Sequence, residues 1–181
     1  MRFVLTLIGA AVFATSAVAA GYKEGKSGDL SDDGLNPTKV KLKVGNNTID
    51  GDFGVHGGVI DRDYFTIKIA DGQTLASITV DPKTKIGNRV SFIGVEKGKQ
   101  VKTDPEGGDP SQLLGWDHFG MNDIGHDILP EICVGAGAIG CTPPLGPGSY
   151  SFWVQETTSC NCHYRFIFNV TGAAANDDEE D

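Results

Sequence analysis

Basic residues are scarce in this sequence, which carries 15 Lys and Arg against 24 Asp and Glu and has a formal net charge of −9. Proteins that bind nucleic acid or anionic lipid need clustered Lys and Arg to meet phosphate groups, so the composition argues against both kinds of partner. An acidic chain is instead a reasonable host for Ca²⁺. The end of the chain, NDDEED, concentrates negative charge, and we predict a disordered acidic tail over residues 172–181 because like charges repel.

Long apolar runs and the motifs of several enzyme classes are missing as well. Beyond residue 20 no stretch is long and apolar enough to cross a bilayer, so we predict no membrane span. The nucleophile motif G-x-S-x-G, the zinc motif H-E-x-x-H and the spacing of an EF-hand loop do not occur. We therefore predict that the chain is not an enzyme.

The N-terminus has the pattern of a secretory leader. MRFVLTLIGAAVFATSAVAA places Arg2 before an apolar stretch and ends in small residues, which predicts a signal peptide over residues 1–20. The protein is then secreted, periplasmic or attached to the cell surface. About 160 residues remain, enough for one domain with a substantial core. We divide them into an N-terminal extension at 21–36 and a domain at 37–171.

Alternation of apolar and polar residues is the main structural signal in the domain. In YRFIFNV, for example, Tyr164, Phe166 and Phe168 share one face of an extended chain while Arg165 points to the other. Such alternation is typical of antiparallel strands with one buried face. Turn sequences such as VGNN, ADGQ and EKGK separate the segments. The predicted strands cover residues 40–44, 64–69, 75–80, 90–95, 150–155 and 164–170.

One segment breaks this pattern. Residues 103–148 are rich in glycine, and we interpret them as a long loop that includes a short helical turn near residues 124–132. Loops of this length are usually functional or disordered, and Trp116, Phe119 and Leu129 argue against disorder. The predicted fold is therefore all-β, an antiparallel β-sandwich of jelly-roll type that carries one long Gly-rich loop.

Four cysteines in an exported chain predict two disulfides. A strand spanning roughly 20 Å separates Cys133 and Cys141 from Cys160 and Cys162, which favours pairing within each group. Cross-pairing stays open if the long loop folds back along the sandwich. The alternative is a metal site formed by Cys160, Cys162 and His163. Cys162 and His163 are adjacent, however, and adjacent residues on a strand point to opposite faces, which argues against this site.

Two acidic stretches are candidates for a Ca²⁺ site. GDLSDDG contains Asp29 and Asp32, and DRDYF contains Asp61 and Asp63. Carboxylates are hard oxygen ligands, and Ca²⁺ takes roughly six to eight oxygens. The alternative is that these are solvated carboxylates at strand ends. The same two interpretations apply to Asp33, Asp50 and Asp52.

Histidines and carboxylates also gather in the long loop. The segment GWDHFGMNDIGHDI brings Asp117, His118, Asp123, His126 and Asp127 within eleven residues. A small metal-dependent hydrolase could use this loop, residues 117–127, to activate a water molecule. The alternative is a set of hydrogen bonds that stabilise the loop, with Asp127 capping the short helix.

An outward-facing aromatic residue suggests a binding surface. Trp153 lies on the polar side of its strand, and we place Arg165 and Ile167 on the strand beside it. Trp153 and Arg165 could then form a strip that binds an extracellular polymer, either carbohydrate or protein. The alternative is that the long loop covers Trp153.

Several stretches resemble the bacterial pre-peptidase C-terminal (PPC) β-sandwich. They are GDLSDDGLNPTKVKLKVGNNTIDGDF, DRDYFTIKIADGQTLASITVD and PPLGPGSYSFWVQE. The resemblance implies a non-catalytic binding or structural module of the cell surface, periplasm or extracellular matrix. It also implies Ca²⁺ as a cofactor, with Asp61 and Asp63 as the first ligand candidates. Self-association through Cys160 or Cys162 into a disulfide-linked matrix or filament is a further hypothesis.

Overall fold

The computed structural model describes residues 20–173. The predicted signal peptide, apart from Ala20, and the predicted tail beyond Ala173 lie outside these residues. The strands are β1 Gly21–Lys23, β2 Thr38–Val40, β3 Gly45–His56, β4 Val59–Ile69, β5 Gln73–Val80, β6 Val90–Lys97, β7 Gly115–Gly120, β8 Gly148–Gln155 and β9 Cys162–Gly172. The α-helices are α1 Glu24–Ser27 and α2 Leu129–Cys133.

The strands form two sheets that face each other. Sheet 1 has the order β5–β9–β3–β1, and sheet 2 has the order β2–β4–β8–β6–β7. Neighbouring strands are antiparallel except that β1 pairs with β3, and β2 with β4, in parallel. The last residues of β3 pair with the first residues of β4 around a turn at Gly57 and Gly58, and this hairpin joins the two sheets. The all-β sandwich prediction is confirmed.

The core lies between the sheets and is rich in aromatic rings. On β9, Tyr164, Phe166 and Phe168 are fully buried, as their alternation predicts. The Phe168 ring meets two rings of sheet 2 edge-on, with centroids 6.0 Å from Phe65 and 5.2 Å from Phe152. Edge-to-face pairs of this kind are favourable for aromatic quadrupoles. They connect the inner faces of the two sheets.

Two predictions near β3 are wrong, and β3 itself is not among the predicted strands. The sequence predicts a strand at 40–44 and a turn at VGNN, but β2 ends at Val40 and β3 begins at Gly45. The reason is the buried Asn47, whose side-chain amide donates to the carbonyl oxygens of Lys43 and Gly45 at 2.8 and 2.9 Å. An amide that satisfies the backbone of a bend locally replaces the ladder bonds that a strand would make there.

The long loop contains a strand that the sequence did not indicate. β7 pairs with β6 from Val90 opposite Gly120 to Val95 opposite Gly115, and it forms the edge of sheet 2. Glycine at both ends of β7 obscures its alternation. The helical turn is α2, which starts later than the predicted residues 124–132.

The cysteines pair within each group, as favoured from their spacing. Cys133 bonds to Cys141 with Cα atoms 4.6 Å apart, and Cys160 bonds to Cys162 with Cα atoms 5.2 Å apart. All four cysteines of the chain are thereby used. The segment around Cys160 curls, since residues two apart in an extended strand are about 6.5 Å apart. No helix within residues 20–173 is long and apolar enough to cross a membrane.

Candidate functional site

One end of the sandwich interior is acidic. The inward face of β4 carries the buried residues Phe65, Ile67 and Ile69. Towards the start of the strand, the same alternating row continues with Asp63 and then Asp61. Because side chains alternate along a strand, both carboxylates continue the row that faces sheet 1. The interior therefore changes from apolar to acidic at this end of β4.

The N-terminal extension covers this acidic end. β1 pairs with β3, and Leu30 is inserted into the core with 2% of its surface exposed. The Tyr22 hydroxyl donates to the carbonyl oxygen of Gly28 at 3.0 Å, which holds the chain after α1 close to β1. The extension is thus packed on the sandwich, and it brings Glu24, Asp29 and Asp32 to β4.

Five carboxylates meet at this place, and we call them the acidic cluster: Glu24, Asp29, Asp32, Asp61 and Asp63. Ligand oxygens of Glu24, Asp29 and Asp63 lie within 4.8 Å of one another, and so do those of Asp29, Asp32 and Asp61. Asp29 belongs to both groups of three. The four Ca²⁺ candidates predicted from the sequence are therefore brought together, and Glu24 joins them.

Asp63 is the most unusual member of the acidic cluster. It is fully buried, and neither of its carboxylate oxygens makes a hydrogen bond within the described part of the chain. The buried Tyr164 hydroxyl is its polar neighbour: interaction with this hydroxyl lowers the pKa of Asp63, although the two groups do not meet the geometry of a full hydrogen bond. The backbone of Gly51 passes over both groups, because a Cβ at Gly51 would lie 2.6 Å from Asp63 Oδ2 and 2.8 Å from the Tyr164 hydroxyl oxygen. Buried carboxylates without partners are costly, so this one calls for an explanation.

Burial and mutual repulsion raise the pKa values of three members of the acidic cluster, Glu24, Asp61 and Asp63. Burial raises the pKa of Glu24 to about 7, although the backbone N–H groups of Asp52 and Leu30 donate to its carboxylate at 2.6 and 2.9 Å. Burial, with the charges of neighbouring aspartates, raises the pKa of Asp61 to about 6. Burial raises the pKa of Asp63 well above its usual value. A dication would offset both the repulsion and the loss of hydration.

No cation of the protein serves this purpose among residues 20–173. The salt bridges there do not include any carboxylate of the acidic cluster. Arg62, which lies between Asp61 and Asp63 in sequence, points to the other face of β4 and pairs with Glu106. The charge of His56 lowers the pKa of Asp61, but burial and the neighbouring aspartates outweigh it.

The other aspartates of the two stretches have protein partners. Asp33 accepts from the Leu35 N–H at 2.8 Å within its own turn. Asp50 lies 3.8 Å from the Arg165 guanidinium, and Asp52 lies 2.8 Å from Nδ1 of His163. For these three, the interpretation as strand-end carboxylates is the better one. The pair with Asp52 also shows that His163 does not join the sulfurs of Cys160 and Cys162, which are bonded to each other.

The predicted strip of Trp153 and Arg165 does not exist. β8 pairs with β4 and β6 in sheet 2, whereas β9 pairs with β3 and β5 in sheet 1, so the two side chains are on different sheets. Trp153 is only 5% exposed, so it is covered, as the alternative predicts. Its packing partners Tyr64 and Val101, however, lie outside the predicted long loop at 103–148.

The His/Asp-rich loop is held by hydrogen bonds. Asp127 Oδ1 accepts from the N–H groups of Ile78 and Leu129 at 2.9 and 3.1 Å, and Asp123 Oδ2 accepts from the Gly120 N–H at 2.7 Å. No group of three possible metal ligands among residues 20–173 includes a residue of 117–127. These contacts match the loop-stabilising interpretation.

Glu24 is not among the Ca²⁺ ligands predicted from the sequence. It stands alone between a predicted leader and the first acidic stretch, and only the pairing of β1 with β3 brings it to the cluster. Asp29 is only five residues away, but the third member of the group, Asp63, lies on β4, and no local pattern links Glu24 to that strand.

The fold and the site define a two-sheet β-sandwich with a buried carboxylate cluster beneath its N-terminal extension. Comparisons with protein-family models, curated proteins and solved structures found no match to this chain. The resemblance to the PPC sandwich accordingly stays a prediction from the sequence.

Proposed function

We propose that this chain is an exported, non-catalytic binding or structural module of the PPC type, and that Ca²⁺ bound by the acidic cluster stabilises it. Its place would be the cell surface, the periplasm or the extracellular matrix. Two features support export: the leader-like N-terminus, and two disulfides, which persist mainly in oxidising compartments.

One observation carries the Ca²⁺ part of the proposal. Asp63 is fully buried, neither of its oxygens has a full hydrogen bond within residues 20–173, and one of them lies within 4.8 Å of ligand oxygens of Glu24 and Asp29. A carboxylate in this position is stable as an anion only if a cation joins it. The alternative is that the carboxyl group is protonated, and the raised pKa values of Asp63 and Glu24 favour this state when no cation is bound.

The ligand set favours Ca²⁺ over other cations. Both groups of three contain carboxylates alone, without the Cys or His that Zn²⁺ prefers. Mg²⁺ requires a near-ideal octahedron and keeps several waters, whereas Ca²⁺ accepts six to eight oxygens in irregular geometry. Carboxylates on one strand and on a covering segment fit the larger and more tolerant ion.

Calorimetric titration of the metal-free protein with Ca²⁺ tests the proposal. We expect one tightly coordinated ion per chain, with a Kd of about 10⁻⁴–10⁻³ M as in other extracellular modules, and weaker binding of Mg²⁺. Asp63→Asn should abolish the binding heat. The matched control is Asp71→Asn, which removes an exposed carboxylate from the turn between β4 and β5. Equal Ca²⁺ binding by both variants would exclude the acidic cluster as the site.

The hydrolase and filament hypotheses draw less support from the contacts. Asp123 and Asp127 are engaged with backbone N–H groups, and Cys160 and Cys162 are bonded to each other and so leave no thiol for a second chain. A non-reducing gel tests the filament hypothesis directly. Covalent multimers that disappear on reduction would favour it over the monomeric module.

A further inference from the structure

A row of aromatic rings crosses the outer face of sheet 2. Tyr64 on β4 stacks on Trp153 of β8 with centroids 6.0 Å apart, and Trp153 lies 4.6 Å from Phe92 of β6. Phe92 in turn stacks on Trp116 of β7 at 6.1 Å. The strand register places Gly94 between Trp153 and Trp116, and the Phe92 ring fills the space that its missing side chain leaves.

Half of this row is covered and half is open. Tyr64 and Trp153 are buried under the loop that follows β6, whereas Phe92 and Trp116 keep part of their surface exposed. Between these rings and the loop lies a cavity of about 270 Å³, which we call the aromatic pocket. This volume is just below the ~300–1,000 Å³ of sites for drug-sized ligands, so the pocket suits a smaller group.

The walls of the aromatic pocket are held in place before any ligand arrives. The Trp116 indole N–H donates to the carbonyl oxygen of Ala136 at 3.0 Å, which fixes the plane of its ring. Asp104 and Asp109 line the loop side, and each uses Oδ1 to accept a backbone N–H two residues later at 2.9 Å.

The charge of the aromatic pocket is one-sided. Neither Lys nor Arg lines it, and the nearby Arg62 is engaged by Glu106 and by Gln155. The imidazole of His118 also lines it, with ring centroids 5.9 Å from Phe92 and 5.4 Å from Trp116. The two aspartates are exposed and form no salt bridge within residues 20–173, in a chain whose net charge is already −9. Aromatic faces also carry negative potential, so the rings and the carboxylates attract the same kind of group.

We infer that the aromatic pocket binds an alkylammonium group, seated on the Phe92 and Trp116 rings with Asp104 and Asp109 as its counter-charge. The group can come from a small quaternary amine or from a lysine side chain of an extracellular protein. A neutral sugar ring would also stack on the indole, but it would leave the two carboxylates without a counter-charge. The pocket is on the outer face of sheet 2 and does not use the acidic cluster.

Intrinsic fluorescence tests this inference, because the chain has two tryptophans and both line the pocket. We expect choline to change the emission saturably, and to bind at least ~10-fold more tightly than 3,3-dimethyl-1-butanol, its uncharged isostere. A lysine-containing peptide and its norleucine analogue form the second arm. Binding of choline alone points to a small amine, and binding of the lysine peptide points to a protein partner; both support the alkylammonium site.

Substitutions measure separately how much the carboxylates and the aromatic rings contribute to binding. Asp104→Asn with Asp109→Asn should weaken choline binding by ~10-fold or more, since an amide oxygen still accepts the turn hydrogen bond but carries no charge. The control Asp71→Asn should leave it unchanged. Trp116→Phe should retain more affinity than Trp116→Ala, with circular dichroism confirming that both are folded.

Three outcomes would overturn the inference. They are the absence of saturable binding by either cation, equal binding of choline and its uncharged isostere, and unchanged binding after removal of both carboxylates. A hexose that binds more tightly than either cation would identify a carbohydrate site instead. Ca²⁺ titration of the same variants should be unaffected, so failure here is distinguishable from failure of the Ca²⁺ proposal.

Discussion

Asp63→Asn should change the stability of the protein in opposite directions with and without Ca²⁺. Without the ion, the substitution removes a buried carboxylate that has no hydrogen-bond partner among residues 20–173. The amide that replaces it can donate to the neighbouring carboxylates of Glu24 and Asp29. With the ion, the same substitution removes the most buried of its ligands.

The magnitudes follow from burial and from binding linkage. An unsatisfied buried polar group costs ~1–3 kcal/mol, so at pH 7 in EDTA we expect the variant to be more stable than the wild type by up to ~2 kcal/mol. Ca²⁺ at 10 mM is about 10–100 times the expected Kd and should stabilise the wild type by ~1.4–2.7 kcal/mol and the variant hardly at all. For a domain of this size, that is a rise in Tm of about 3–10 °C for the wild type alone.

Thermal unfolding followed by circular dichroism, in EDTA and in 10 mM CaCl₂, measures both effects. Asp71→Asn serves as the control and should follow the wild type in both buffers. The reasoning is refuted if Asp63→Asn lowers the Tm in EDTA by several degrees, or if Ca²⁺ raises its Tm as much as that of the wild type.

Three other perturbations test the same physical account. Between about pH 4 and 7 the folded state holds protons on Glu24 and Asp61 that the unfolded chain releases. The free energy of unfolding in EDTA should therefore fall as pH rises through this window, by ~1–2 kcal/mol after allowance for solvent screening. Urea titration at several pH values measures this change. Gly51→Ala would place a methyl group 2.6 Å from a carboxylate oxygen of the acidic cluster, so we expect calorimetry to show weaker Ca²⁺ binding, with circular dichroism as the check on folding. Replacing Cys133 and Cys141 by alanine should lower the free energy of unfolding by ~2–3 kcal/mol, and replacing Cys160 and Cys162 by only ~1–2 kcal/mol, because the second bond closes a shorter loop. Guanidinium unfolding measures both losses, and the opposite ranking would contradict the loop-entropy argument.

Local alternation was sufficient to predict most strands and their buried faces. On β9 every second residue from Tyr164 to Val170 is buried, because a strand with one face against a core must repeat every two residues. The same rule shows that Asp61 and Asp63 share the face of Phe65. β3 and β7 were not predicted, because glycines and polar residues obscure their alternation and their registers depend on pairing with β9 and β6, which are distant in the chain.

The amino-acid sequence by itself determined the fold class, favoured the local pairing of the cysteines and supplied four of the five carboxylates of the acidic cluster as candidates. These depend on neighbours in the chain, through strand alternation, short loops and clustered aspartates. Tertiary structure alone decided that Glu24 completes the cluster, that Arg165 and Trp153 belong to different sheets, and that aromatic rings from four strands form one row. Each of these requires knowing which strands are adjacent, and adjacency is set by the packing of the whole sandwich rather than by any local pattern.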